Sequence, residues 1–370
     1  MKLPIPLTVL TGFLGSGKTT LLKSLLDKPD MAGTAVIVNE FGDVGLDDAL
    51  IEAAQEETVL LPSGCVCCAV RGDLVEALNR LYEQMRTDQI PALDRVVLET
   101  SGLADPAPIA QTLMTEDELF RIYQLDGVVT TVDAELALQQ LDEYYETAKQ
   151  IAVADRIILT KTDRASDDQT NAVAAKVRAL NPAAIVTKVV SGQCDAELLT
   201  RVAAFEPVAT KQHAEAWLGS EHYHPAHDCH GHDCTHPDHD LHNHGHGHDH
   251  GHDHQHTQGI RAFSLTFDTP LDGQKLSFAM ELLRMTHGGN LLRVKGILNV
   301  ADEPLPFVVH GVQHVFYPPT TLDAWPSDDR RSRFVFITKD LTEGQIQEVL
   351  RPLFSESAPA RPEAFFTPNE

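Results

Sequence analysis

The sequence lacks long apolar runs. No stretch approaches about 20 uninterrupted apolar residues, the length that a membrane-spanning helix needs. Near the N-terminus, Pro4 and Pro6 interrupt the apolar run and a glycine-rich loop follows at once, unlike the apolar region and cleavage site of a signal peptide. We therefore expect a cytoplasmic protein with no membrane partner.

Basic residues are also scarce. Lys and Arg total 29 against 54 Asp and Glu, which gives a formal net charge of -25. A broad surface of this sign repels polyanions, so we expect no nucleic-acid partner. Nucleotide binding is not excluded, because a phosphate loop acts through local backbone dipoles and one lysine.

Only six cysteines are present, and three of them stand together at Cys65, Cys67 and Cys68. This spacing does not suit an ordinary disulfide framework. In a reducing compartment such a cluster more often binds metal or does redox chemistry.

The 370 residues exceed the size at which one hydrophobic core stops growing, roughly 250 to 300 residues, so we expect two folded domains. Residues 1–205 are predicted to form an α/β domain with a mostly parallel sheet, because short β-branched runs alternate with amphipathic stretches. The predicted strands are 7–10, 35–39, 58–61, 95–99, 127–132, 156–160 and 184–190, and predicted helices include 73–85 and 135–154.

The composition changes at residues 206–258, which we interpret as a disordered linker: fifteen of the 35 residues from 222 to 256 are histidine. Residues 259–355 are predicted to form a small α+β domain, and residues 356–370 a flexible tail. Predicted strands in this domain are 263–267, 291–300, 307–317 and 333–338, and predicted helices are 276–286 and 343–353.

A phosphate loop is indicated by Gly12-Phe-Leu-Gly-Ser-Gly-Lys-Thr19, which follows an apolar strand and opens a helix. Glycines let backbone N–H groups converge on phosphates, Lys18 offers a point charge to the β and γ phosphates, and the Thr19 hydroxyl coordinates Mg²⁺. The residues assigned to nucleotide binding here are Gly12, Gly15, Ser16, Gly17, Lys18, Thr19 and Thr20.

A second motif, Val96-Val-Leu-Glu-Thr-Ser-Gly102, is an apolar strand that ends in an acid. Glu99 is predicted to hold or orient the Mg²⁺ shell, and the Gly102 N–H to sense the γ-phosphate. Lys18, Thr19 and Glu99 are thus the predicted catalytic residues.

A third motif, Ile158-Leu-Thr-Lys-Thr-Asp163, predicts guanine specificity. The Asp163 carboxylate would accept the N1–H and the exocyclic amine of guanine, and the alkyl stem of Lys161 would flank the ring. The usual pattern begins with asparagine, whereas Thr160 stands here, and a plain turn after a strand is the alternative.

The thiols of Ser63-Gly-Cys-Val-Cys-Cys-Ala69 suit Zn²⁺, Cu(I) or an iron cluster. Three thiolates leave one tetrahedral position for Glu40 or a histidine, an arrangement suited to releasing or transferring an ion. Buried cysteines and a redox pair are the alternatives. The histidine tract would capture Zn, Ni, Co or Cu as a reservoir, unless it is merely a solvated linker.

Together these motifs resemble the CobW-like family of P-loop GTPases. The likeness rests on Gly12 to Thr20, Asn39-Glu-Phe-Gly-Asp-Val-Gly-Leu-Asp47, Gly64-Cys-Val-Cys-Cys68, Glu99-Thr-Ser-Gly102, Thr160-Lys-Thr-Asp163 and Leu291-Leu-Arg-Val-Lys-Gly-Ile-Leu298. It implies slow GTP hydrolysis, metal binding at the thiol loop with Glu40 as an additional ligand, and Asp47 as a residue beside Mg²⁺. It also implies zinc delivery to client enzymes, or cobalt delivery for cobalamin synthesis or nitrile hydratase activation.

We therefore predict a GTP-hydrolysing metallochaperone that uses GTP, Mg²⁺ and Zn²⁺, or Co²⁺ in place of zinc, and that serves a client metalloenzyme. A homodimer is left open. Residues 39–47 lie between the phosphate loop and the thiols, and we hypothesise that they switch with the nucleotide state. The alternatives are a kinase or synthetase that uses the same loop, and a passive metal buffer.

Overall fold

The computed structural model of the protein describes residues 4–26, 28–38, 59–62, 71–200, 202 and 259–351. Its N-terminal part contains a seven-stranded sheet in which every pair of neighbouring strands is parallel, in the order β3-β2-β4-β1-β5-β6-β7. The strands are β1 (Ile5–Gly12), β2 (Thr34–Val38), β3 (Val59–Pro62), β4 (Arg95–Glu99), β5 (Tyr123–Asp133), β6 (Arg156–Thr160) and β7 (Ile185–Lys188). The predicted parallel α/β fold is confirmed.

Helices cover both faces of this sheet. They are α1 (Lys18–Leu26), α2 (Arg71–Arg86), α3 (Ala107–Thr115), α4 (Asp117–Ile122), α5 (Ala137–Glu143), α6 (Tyr145–Val153) and α7 (Asp167–Leu180). Strand β1 is apolar almost throughout because both of its faces are buried. Leu7 and Val9 pack in the cluster that contains α2, whereas Leu10 packs in the cluster that contains α1.

The prediction of one helix over residues 135–154 was wrong, because the chain forms α5 and α6 separately. Between them, Tyr144 has extended dihedral angles, with φ -130° and ψ 117°. Its ring packs against Phe13 of the phosphate loop at a centroid distance of 4.7 Å. A tertiary contact thus interrupts a stretch whose periodicity alone favours continuous helix.

The C-terminal part is an antiparallel sheet in the order β11-β10-β9-β13-β8, with β12 paired to β10. Its strands are β8 (Ile260–Phe267), β9 (Leu291–Leu298), β10 (Phe307–Val312), β11 (Val315–Phe316), β12 (Thr320–Thr321) and β13 (Ser332–Lys339), and its helices are α8 (Gly273–His287) and α9 (Glu343–Leu350). The predicted α+β class is confirmed, but 307–317 is a hairpin that turns at Gln313, where φ is 53°.

One hydrophobic cluster joins the two parts. Ala262, Leu292, Val312 and Ile337 of the C-terminal sheet belong to the same buried cluster as Ala107, Ile109, Ala110 and Leu113 of α3. No helix in the described residues is long and apolar enough to cross a membrane.

Charged residues are buried where the two parts meet. Asp155, at the start of β6, forms ion pairs with Arg293 and with Lys295, whose Nζ lies 3.1 Å from Asp155 Oδ1. Burial would raise the pKa of Asp155, but the two cations and the Val128 N–H hold it at about 2. Burial lowers the pKa of Lys295 to about 8, against the attraction of Asp155.

His310 belongs to the same buried group, and its ring packs against that of Tyr317 at a centroid distance of 3.7 Å and an interplanar angle of 31°. Burial, together with the Arg293 guanidinium, holds the pKa of His310 well below its ordinary value of 6.5. As the pH decreases toward and below about 6.5, the unfolded chain therefore binds more protons at this residue than the folded chain does. The free energy of unfolding consequently decreases as the pH decreases.

We expect His310→Phe, which keeps a ring against Tyr317, to reduce this pH dependence. Between about pH 7.5 and 5.5 the wild type should lose up to about 1.4 kcal/mol more per pH unit than the variant. Urea unfolding at several pH values measures the difference. Parallel pH profiles of the two proteins would contradict the assignment.

Candidate nucleotide and metal site

The predicted phosphate loop lies at the carboxyl edge of the parallel sheet, between β1 and α1. Gly12, Gly15 and Gly17 adopt φ values of 141°, 72° and 93°, which glycine reaches without strain. At Gly12 a Cβ atom would come within 2.4 Å of the Thr131 carbonyl oxygen. The loop can therefore follow this path only with glycine at that position.

Lys18 and Thr19 begin α1 directly after this loop. Lys18 Nζ donates to the carbonyl oxygens of Gly12, at 2.9 Å, and Phe13, at 3.2 Å, so the ammonium lies against the loop. The Thr19 hydroxyl donates to Glu99 Oε1 at 2.8 Å. Two side-chain oxygens, one of them from a carboxylate, are the donors that Mg²⁺ prefers, so the residues present fit that ion.

Two threonines connect the phosphate loop to neighbouring strands. The hydroxyls of Ser16 and Thr131 are 2.7 Å apart, and Thr160 Oγ1 donates to the Ser16 carbonyl at 2.7 Å. Thr160 is the residue that departs from the usual asparagine, and here it holds the loop to β6. Sequence reasoning missed Thr131, although a polar residue at the end of an apolar strand was an available signal.

Gly102 follows β4 and contacts the phosphate loop. A Cβ atom at this position would lie 2.5 Å from the backbone nitrogen of Leu14. Glu99 and Gly102 thus both lie at the loop. Their roles as a magnesium-side acid and a γ-phosphate contact stay predictions.

The guanine motif begins where β6 ends. Lys161 has a φ of 54°, and its Nζ pairs with Asp133 Oδ2 at 2.7 Å. Asp133 is fully buried and also accepts from the Glu135 N–H at 2.8 Å, so it fixes the direction of the lysine stem. Asp163, two residues after Lys161 in the chain, is exposed. Sequence reasoning missed Asp133, although it ends β5 just as Glu99 ends β4.

A second missed feature is the loop after β7. Ser191 and Gly192 have φ values of 50° and 73°, and a Cβ atom on Gly192 would lie 3.1 Å from the Thr20 carbonyl oxygen. The first turn of α1, which carries Thr20, therefore borders this loop. The signal for it was the Ser-Gly pair after a short strand.

The predicted metal ligands Glu40, Cys65, Cys67 and Cys68 lie outside the described residues, as do Asp47 and the histidine tract. Within the described residues, no group of three or more His, Cys, Asp or Glu side chains is placed to hold a metal ion. Because β1 to β4 are parallel, Val38 and Pro62 end their strands at the edge that carries the phosphate loop. At the edge that carries the phosphate loop, the chain therefore leaves β2 toward residues 39–58 and leaves β3 toward the thiols.

Comparison with known proteins gives two family matches. The model described as "CobW/HypB/UreG, nucleotide-binding domain" matches residues 6–188, and "Cobalamin synthesis protein cobW C-terminal domain" matches residues 260–353. The chain belongs to the CobW family. The predicted resemblance is confirmed, because the matches cover both parts of the fold in the expected order.

Members of the CobW family are similar along nearly the whole chain. Zinc chaperone YjiA of Escherichia coli K12 is 33% identical over 93% of this chain and 97% of its own length. Zinc chaperone CobW of Pseudomonas aeruginosa is 30% identical over 94% of this chain and 91% of its own. The crystal structure of Zn(II)-bound YjiA GTPase from E. coli superposes with a TM-score of 0.67 at 31% identity, covering 95% of this chain and 99% of that one.

Proposed function

We propose that this CobW-family protein is a GTP-hydrolysing metallochaperone, which binds zinc at Cys65, Cys67 and Cys68 and transfers it to client metalloproteins. The observation that carries the proposal is the contact between Thr19 and Glu99, which joins the phosphate loop to the acidic strand end beside Lys18. Relatives of nearly full length are named zinc chaperones, which supports zinc as the cargo.

On the nucleotide side, the proposed reaction is hydrolysis of GTP to GDP and phosphate. The glycine-rich backbone binds the phosphates through N–H groups at the start of α1, and Lys18 offsets their charge. Bound Mg²⁺ would neutralise charge that develops on the phosphates, and Thr19 and Glu99, with Asp47, would hold it. The Gly102 N–H binds the γ-phosphate, and so distinguishes GTP from GDP.

Guanine selection is assigned to the loop after β6. The Asp163 carboxylate accepts the N1–H and the amino group of guanine, and Lys161 lays its stem along the ring. The ion pair with the buried Asp133 supports this role for Lys161, because it orients the lysine stem before the base binds.

The cargo site consists of the three thiolates, with Glu40 as a fourth ligand. Tight zinc sites hold their ion by about 10 to 16 kcal/mol, so release must be assisted. Moving a site from mostly closed to mostly open takes a differential of about 5.5 kcal/mol, which the γ-phosphate contacts would have to supply. That β2 and β3 end at the nucleotide edge supports residues 39–47 as the connecting switch. We also propose domain limits of 1–205 and 259–355, joined by the histidine-rich linker 206–258.

A zinc competition assay tests this coupling. A chromophoric chelator should withdraw zinc from the thiol site with an affinity that differs at least about 10-fold between the GDP complex and the complex with a nonhydrolysable GTP analogue. The triple variant Cys65→Ser, Cys67→Ser, Cys68→Ser keeps the histidine tract and should lose the nucleotide dependence.

Cys194→Ser is the matched control. Burial raises the pKa of the Cys194 thiol to about 11, so this cysteine is protonated at neutral pH, and its loss should leave the dependence intact. Equal zinc affinity with either nucleotide would sink the coupling. Transfer of phosphate to an acceptor other than water would indicate a kinase instead.

A further inference from the structure

The segment that follows β4, residues 101–105, is held from outside by α6. Gln150 Nε2 donates to two carbonyl oxygens of this segment, those of Gly102 at 3.1 Å and Ala104 at 3.0 Å. Gln150 is 1% exposed, so the amide acts inside the protein, away from solvent. Sequence reasoning did not single out this residue.

The turn of α6 that carries Gln150 is fixed in place. The Gln150 backbone carbonyl accepts from Thr130 Oγ1 at 2.9 Å, which anchors this turn of α6 to the centre of β5. One residue earlier, Lys149 pairs with Asp105, whose other carboxylate oxygen accepts from the Ala107 N–H at 3.0 Å. Helix α6 therefore clamps the segment at both of its ends.

The orientation of the amide is also determined. A flipped amide would place Oε1 against the two carbonyl oxygens, so the NH₂ group must face the segment. Oε1 then points away, and it has no hydrogen-bond partner among the described residues. A buried acceptor without a partner costs free energy. That cost accompanies the orientation in which both N–H donors of the amide bind the segment.

Glycine at position 102 explains why a clamp is needed. No Cβ fits there, because it would collide with the Leu14 backbone, so the close approach to the phosphate loop requires glycine. Glycine, however, leaves the backbone free to rotate. The hydrogen bonds from Gln150 hold the carbonyl groups of residues 102 and 104. They therefore fix the orientation of the peptide groups that follow the Gly102 N–H in the chain.

We propose that Gln150 is a positioning residue for GTP hydrolysis: it holds residues 102–104 so that the Gly102 N–H is directed at the γ-phosphate. This inference rests on the proposed GTPase function and on the γ-phosphate contact assigned to Gly102. It predicts an effect on GTP that GDP does not share. Because GDP has no γ-phosphate, its affinity should not depend on the hydrogen bonds from Gln150.

Gln150→Met tests the proposal in the full-length protein, because methionine keeps the length and apolar packing of the side chain and removes both donors. GDP affinity should stay within about twofold, whereas the affinity for a nonhydrolysable GTP analogue should fall about 10-fold. The kcat for GTP should fall roughly 10- to 100-fold through misplacement of the N–H group. Calorimetry and phosphate release measure these quantities.

Thr147→Val is the matched control on the same helix. Thr147 is also buried, and its hydroxyl has no hydrogen-bond partner among the described residues, so the substitution leaves the clamp untouched. This variant should bind both nucleotides and hydrolyse GTP like the wild type.

Gln150→Glu gives a second readout that does not depend on the methionine variant folding. An ionised carboxylate repels the two carbonyl oxygens, whereas the protonated acid donates one hydrogen bond. Relative to the wild type at each pH, the affinity of Gln150→Glu for the GTP analogue should rise as pH falls from about 8 to about 6. Its GDP affinity should show no such trend.

The outcomes separate the two levels of the proposal. A wild type that does not hydrolyse GTP would overturn the proposed function, and the role of Gln150 with it, before any variant is measured. A wild type that hydrolyses GTP, with Gln150→Met losing GDP and analogue affinity equally or losing neither, would overturn the role of Gln150 alone.

Discussion

Replacing Lys18 with alanine is expected to lower the kcat for GTP by about 100-fold or more and to stop nucleotide-driven zinc transfer. The Lys18 side chain is 8% exposed and lies against the Gly12 and Phe13 carbonyl oxygens, so its charge is concentrated at the phosphate loop. No other described residue of the loop supplies a cation there. Phosphate release and zinc transfer to a chelator measure the two effects.

Lys23→Ala removes the same charge from α1, one and a half turns further from the loop, and should leave both activities close to wild type. Zinc binding without nucleotide should survive in Lys18→Ala, because the thiols do not depend on the lysine. Undiminished zinc transfer by the Lys18→Ala protein would make the chain a passive buffer and refute the metallochaperone proposal.

The phosphate loop was predictable because its chemistry is contiguous in the chain. An apolar strand, the glycines at 12, 15 and 17 and the lysine that opens a helix are read within one window of sequence. Strands β4 and β6 were also predicted with the bounds that the structure gives, because both are short apolar runs that end at a polar residue.

Long-range partners were not predictable in the same way. Asp133 and Gln150 act on Lys161 and Gly102, which lie 28 and 48 residues away in sequence. The sequence around Asp133 or Gln150 does not indicate its partner, because the order of strands in the sheet brings the partners together. The break at Tyr144 was missed for a related reason, since the Phe13 ring that favours it belongs to another element.

The contact between the two parts of the fold was also missed, and β9 shows why. All eight residues of β9 are buried, including Arg293 and Lys295. An alternating strand with two basic residues normally predicts one face in solvent. The cations are buried because that face meets α6 and the start of β6, and Asp155 neutralises one of their two charges.

Asp155→Asn is therefore expected to destabilise the protein by about 3 to 5 kcal/mol. The substitution keeps the size of the side chain but leaves Arg293 and Lys295 buried beside each other without the carboxylate. Their mutual repulsion and their lost hydration then act against the folded state, at the contact between the two parts of the fold. Urea unfolding, followed by circular dichroism, measures the change.

A matched pair of variants separates charge from packing. Glu83→Gln makes the same chemical change in an exposed ion pair with Arg86 and should have little effect, because water already screens that pair. Adding Lys295→Met to Asp155→Asn should restore part of the lost stability, since it removes one of the two unneutralised cations. If the double variant is no more stable than Asp155→Asn, the cost comes from lost packing, and the buried charges do not hold the two parts together.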